Sequence, residues 1–156
     1  MSNQDLVLLE RLENGTAVVT LAALMNSLKI VNKKMEDLTV VIAGVGAAGV
    51  AIGKILLNAG VGDVIGCDRI GAIYSGRSEM NSAKEWFANN TNRSRRMGTI
   101  SDVMKGADVF VGVSGPDLIT AADVRSMAKD PIVFAMANPN PEIRPEQVDG
   151  LASIMA

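Results

Sequence analysis

The chain has 156 residues, 48% of them apolar but only 3% aromatic, and a formal net charge of −2. That length suits one domain burying about two thirds of its unfolded surface, with a core of Ala, Val, Ile, Leu and Met rather than rings. The charge gives no reason to expect nucleic acid or an anionic membrane as partner, and the complete absence of histidine removes the commonest metal ligand and the most usual general base.

Taken from the start, Val18, Leu21, Ala22, Met25 and Leu28 recur at helical spacing and predict a helix from Thr16 to Ile30. Asn14-Gly15 stands before it as a cap, because an Asn side chain accepts from the free N–H groups of a first turn. The second half of this helix is very apolar, but Asn26, Ser27, Lys29 and Asn32 interrupt it. No apolar run approaches the ~20 residues that cross a bilayer, and no signal-peptide pattern opens the chain. A soluble, cytoplasmic protein is expected.

A short apolar run, Thr39 to Ala43, then empties into Gly44-Val45-Gly46-Ala47-Ala48-Gly49, a G-x-G-x-x-G pattern. Each glycine has a mechanical purpose. Gly44 lets the chain turn at the end of a buried strand, and Gly46 lets a pyrophosphate approach bare backbone. Gly49 lets the next helix pack close to the strand, and the N-terminus of that helix offers free N–H groups and a favourable dipole. The helix carries Ala48, Ala51, Ile52, Ile55, Leu56 and Ala59 on one face and stops at Gly60. A second strand follows at Asp63 to Cys67. At its end stands Asp68, where a carboxylate accepts hydrogen bonds from an adenosine ribose. Such a carboxylate favours a free 2′-hydroxyl and repels a 2′-phosphate, so NAD is expected over NADP. Arg69 beside it either stacks on adenine or offsets part of that repulsion. Cys67, the single cysteine, has no internal partner and reads as a buried strand residue, consistent with a reducing compartment.

From Asp68 to Thr99 the pattern weakens to loops around a short helix at Asn81 to Ala88. Tyr74 there reads as a packing residue, and Arg93, Arg95 and Arg96 as a solvated loop. A short helix at Ser101 to Lys105 precedes a third strand, Asp108 to Val113, which ends in Ser114-Gly115-Pro116. Thr120, with Asp123 three residues on, opens a helix that ends near Lys129-Asp130-Pro131. A fourth strand, Ile132 to Met136, ends in Ala137-Asn138-Pro139. A short helix near Pro145 to Val148 leads to Leu151–Ala156, read as a fifth strand. That run has no turn, cap or polar tail after it, so the natural sequence is expected to continue.

Alternating strands and helices imply an α/β fold: a Rossmann-type doubly wound parallel sheet of about five strands with helices on both faces. Ligands sit at the carboxyl ends of such strands. Here those ends carry Gly44-Val45-Gly46, Asp68-Arg69, Ser114-Gly115 and Ala137-Asn138.

Asn14 to Thr20, the glycine loop, Cys67-Asp68-Arg69 with Gly71 to Tyr74, Gly112 to Gly115 and Phe134 to Pro139 occur in one order that resembles the malic enzymes. The similarity is to the NAD-binding domain of the bacterial type, and it covers residues 14–156. It implies oxidative decarboxylation of L-malate to pyruvate and CO2 with a nicotinamide cofactor and Mg²⁺ or Mn²⁺. It places Thr16, Gly44, Gly46, Ala47, Ala48, Gly49, Asp68, Arg69, Ser114 and Gly115 on the dinucleotide, and Asn138 near both nicotinamide and malate. Association into homo-oligomers is expected through faces that absent domains would leave exposed.

The departures matter as much. Asn14 stands where the family usually has His, and Leu8 to Glu13 do not match the acidic stretch that carries a metal ligand. The family's lysine base, tyrosine acid and first metal carboxylates belong to an upstream domain, and an asparagine-rich closing motif lies downstream. The expectation is therefore a cofactor domain with no catalytic or metal residue of its own, which binds NAD without turning over malate, and an N-terminal segment, 1–13, foreign to the family sequence. Two alternatives stand beside it: a non-catalytic nucleotide-binding or oligomerisation module, and the cofactor domain of an amino-acid dehydrogenase. The Asn14 to Thr20 and Phe134 to Pro139 motifs argue against the second.

Overall fold

The computed structural model describes residues 3–156, and their side chains from residue 14 onward; the reading of Leu8 to Glu13 concerns side chains outside that range. Helix α1 (Asn3–Val31) leads through a 3-10 turn at Met35–Asp37 into β1 (Thr39–Ala43), α2 (Ala47–Asn58) and β2 (Asp63–Asp68). A two-residue strand β3 (Gly71–Ala72), α3 (Ser82–Asn90), α4 (Ile100–Met104) and β4 (Val109–Gly112) follow. The chain then forms α5 (Ala121–Ser126), β5 (Ile132–Ala135), a 3-10 turn at Pro145–Gln147 and β6 (Ile154–Met155).

The six strands lie in the order β3-β2-β1-β4-β5-β6. All neighbours are parallel except β2 and β3, where Cys67 faces Ala72 and Asp68 faces Gly71. From β1 the chain moves outward to β2 and β3, then returns to place β4 on the other side of β1. The reversal leaves a crevice at the carboxyl ends of β1 and β4, where open α/β sheets hold ligands.

Both faces of the sheet are covered, which is why its strands read as continuous apolar runs rather than alternating ones. Val40 and Ile42 of β1, with Val109 and Val111 of β4, pack on one side against Leu24 of α1, Ile52 and Leu56 of α2 and Phe87 of α3. Val41 and Ala43, with Phe110, pack on the other side with Val103 and Met104 of α4 and Val124 of α5. With so few rings in the chain, the three Phe are all spent at full burial in these layers.

Four sequence expectations change. The first helix begins at Asn3, so Asn14-Gly15 is helix interior and not a cap; the apolar periodicity starts late, but backbone hydrogen bonding does not. Within it, Asn14–Val31 is long and apolar enough to cross a membrane by length and composition, contrary to the expectation, although Ala17, Leu24 and Leu28 are buried against the domain. The sheet has six strands rather than about five, because Gly71–Ala72 add an antiparallel edge too short to leave a periodic signal. Helix α5 ends at Ser126, short of Lys129, while Thr120 does form the expected capping box with Asp123.

Candidate functional site

The glycine loop lies at the reversal of strand order. Gly44 has φ +105°, and a Cβ there would sit 2.6 Å from the Val113 carbonyl oxygen, so only glycine fits against the end of β4. A Cβ on Gly49 would overlap the Gly44 carbonyl, which is how closely α2 crosses the loop. Around Gly46 the situation is reversed: no heavy atom lies within 4 Å of where its Cβ would be. Gly46 is also the N-cap of α2, makes no side-chain cap bond, and is followed by a first turn without acidic residues. Gly46 and Ala47 are exposed and Ala48 is half-buried, and the first turn of α2 offers N–H groups and the positive end of a helix dipole with no side-chain cap. Such N–H groups can donate to an anion.

A cleft of about 560 Å³ opens beside it, lined by Gly44, Val45, Asp68, Arg69, Lys84 and Ser114 among others. Of the residues expected on the dinucleotide, Gly44, Asp68, Arg69 and Ser114 thus meet in one place. Thr16 lies on α1, one turn before Thr20, whose hydroxyl donates to the Met136 sulfur at 3.7 Å. Asn138 is exposed in the loop after β5, joined to Pro139 by a cis peptide bond. Neither lines this cleft. Tyr74 lines a different hollow, with Arg77 and Thr99. Arg96 donates to the Val103 and Lys105 carbonyls at 3.0 Å, while Arg93 and Arg95 are exposed.

Asp68 is not the unencumbered acceptor the sequence suggests. Its Oδ1 takes the Ile70 N–H at 2.9 Å, and both oxygens take Arg77 Nη2, at 2.7 and 2.6 Å. Lys84 Nζ stands 2.8 Å from Oδ2. Burial works to raise the Asp68 carboxyl, but hydrogen bonds from Arg77, Lys84 and Ile70 outweigh it and hold it at about 2. Arg77 is itself buried and also donates to the Gly71 and Ala72 carbonyls, so it stitches β3 to the acid. Neither Arg77 nor Lys84 stands out in the sequence; they lie in the stretch of weak pattern, and only folding brings them to β2. Next to Asp68, the Cys67 thiol is pushed up to about 12 by burial and by the Asp68 charge, with Arg77 opposing.

A second acid is also silent in the sequence. Glu142 is fully buried behind the ends of β4 and β5. Its Oε1 accepts from the Ser114 N–H at 2.9 Å and its Oε2 from the Ala137 N–H at 3.1 Å. A Cβ on Gly112 would overlap this carboxylate, so the glycine makes room for it. Among the described residues no group of three His, Cys, Asp or Glu is placed to hold a metal ion.

The chain is similar to proteins of known kind. Residues 14–152 match the family model described as "Malic enzyme, NAD binding domain". The chain is 54% identical over 144 residues to the NAD-dependent malic enzyme of Geobacillus stearothermophilus, covering 92% of this chain and 30% of that protein. It is 43% identical over 136 residues to the NADP-dependent malic enzyme of Halomonas elongata, covering 86% and 31%. The crystal structure of the NAD-dependent malic enzyme from Thermotoga maritima superposes with a TM-score of 0.88 at 40% identity, over 92% of this chain and 39% of that one. The chain thus spans about a third of the length of these relatives. With the glycine cradle at the strand-order reversal and a family match over nearly all its length, the chain belongs to the NAD-binding domains of the malic enzymes.

Proposed function

We propose that this domain holds NAD for the oxidative decarboxylation of L-malate to pyruvate and CO2 by a larger enzyme, and that by itself it binds the cofactor without turnover. The open cradle at Gly46, above an uncapped helix, carries the reading. The diphosphate rests on the backbone of Gly46, Ala47 and Ala48, with Gly44 and Gly49 bringing the loop, strand and helix together. The adenosine ribose meets Asp68 and Arg69. The other half of the dinucleotide then extends over the ends of β4 and β5, past Ser114 and Gly115 and toward Thr16 and Asn138. An Asn amide there donates one hydrogen bond and accepts another, as nicotinamide and the malate carboxylate require. The cofactor supplies the hydride-accepting ring, and the chain supplies binding, orientation and electrostatics. Mg²⁺ or Mn²⁺, the general base and the general acid come from elsewhere in the enzyme. NAD is preferred to NADP, by a margin that Arg77 and Lys84 narrow because they offset the Asp68 charge.

Calorimetric titration of the chain with NAD⁺ tests this. Saturable binding, weakened by Asp68→Ala, is expected; no heat at millimolar cofactor would count against the reading. Adding the upstream part of a malic enzyme is expected to give malate oxidation. Turnover by the chain alone would show that it carries acid–base groups of its own and would overturn the reading.

A further inference from the structure

Glu142 has no part in the cofactor contacts proposed above, yet it occupies a costly position. A fully buried carboxylate is tolerated only when its oxygens are satisfied, and here each oxygen takes one backbone N–H. Among the described residues no cation forms a salt bridge with it. Both donors belong to the loops that end β4 and β5, so the side chain ties those ends together from beneath. Its own backbone completes the tie, because the Glu142 carbonyl accepts from Leu118 N–H at 2.8 Å. The space it fills exists only because residue 112 is glycine. Ser114, whose N–H it holds, lines the cleft directly. Through Ser114 the carboxylate lies one residue behind the Asp68 side of the cleft, and through Ala137 it lies next to the residue that precedes Asn138, in a low-dielectric setting.

We propose that Glu142 is a positioning residue that also discriminates cofactor charge: it holds the Ser114 and Ala137 backbones at the nicotinamide end and favours the cationic oxidised ring over the neutral reduced one. The inference rests on the NAD-binding reading, which places that ring over β4 and β5. A uniformly structural role would affect both redox forms alike, because NAD⁺ and NADH share every other group. A charge acting across protein interior separates them, on the order of tenfold for a single unit charge near the ring.

The test measures NAD⁺ and NADH affinities separately, the first by calorimetry and the second by cofactor fluorescence. In Glu142→Gln the preference for NAD⁺ over NADH is expected to fall about tenfold relative to the unaltered chain. Should the amide prevent folding, the unaltered chain suffices: it is expected to bind NAD⁺ about tenfold more tightly than the dinucleotide in which uncharged benzamide replaces nicotinamide. An unchanged ratio in folded Glu142→Gln, or equal affinity for NAD⁺ and the benzamide analogue, overturns the inference while leaving cofactor binding intact. Failure of all three dinucleotides to bind overturns the cofactor reading, and this inference with it.

Discussion

Asp68 shows how far a residue's neighbours decide its chemistry. Its folded carboxyl titrates at about 2, below its ordinary 3.8. The stabilisation this represents is therefore complete above about pH 4 and is lost as the pH falls toward 2. A shift of this size corresponds to at most about 2 kcal/mol, less after solvent screening of a partly exposed carboxylate. Asp68→Asn is expected to remove that segment of the acid destabilisation in urea titrations run across this range. At neutral pH it should cost about 3 kcal/mol, since it strands the buried Arg77 guanidinium without its anion. Cys67 illustrates the same dependence on surroundings. Held at about 12 and buried in β2, its thiol is expected to resist a disulfide reagent at pH 8 in the folded chain. Labelling should proceed at the rate of unfolding and accelerate in urea; fast labelling without denaturant would contradict the burial. The acid and the cysteine were both legible in the sequence, by their place at the end of an apolar run. Arg77 and Lys84 were not, because no local period marks a side chain that reaches back to a strand nine or more residues earlier.

At the scale of elements, boundaries followed local chemistry where a cap or glycine marked them and drifted where none did. Thr120 and Asp123 form a reciprocal box that opens α5 where the pattern predicts. Helix α1 had no such mark, and Asn14-Gly15, good capping chemistry in isolation, was carried into its interior by hydrogen bonding on either side. Gly15 consequently weakens the helix without any steric need: it is exposed, and nothing lies within 4 Å of a Cβ placed there. Gly15→Ala is expected to stabilise the chain by about 1 kcal/mol in urea denaturation. Gly49→Ala, in the next α-helix, should do the opposite, because its methyl overlaps the Gly44 carbonyl. One residue type thus takes opposite signs in two helices, and the difference is visible only once their neighbours are in place.

For the whole molecule, the surface left by α1 is telling. Val18, Val19, Met25 and Ile30 are more than half exposed, although the same helix buries Leu24 on its inner side. Apolar side chains gathered on one exposed element mark a contact surface, and we expect it to drive self-association. Sedimentation equilibrium should find dimers or larger species, shifted toward monomer by Ile30→Lys; a monomeric chain at high concentration would remove this expectation. The sequence by itself determined the class of fold, the glycine cradle and the acid after β2. Those features are written in local period and in residues whose backbone freedom or charge has one plausible use at a strand end. Only the tertiary structure decided that Asp68 is shared between two cations, that β3 closes the sheet edge, and that Glu142 sits beneath the ends of β4 and β5. Each of these joins residues through space rather than along the chain, and a linear pattern holds no record of which buried polar groups will satisfy one another.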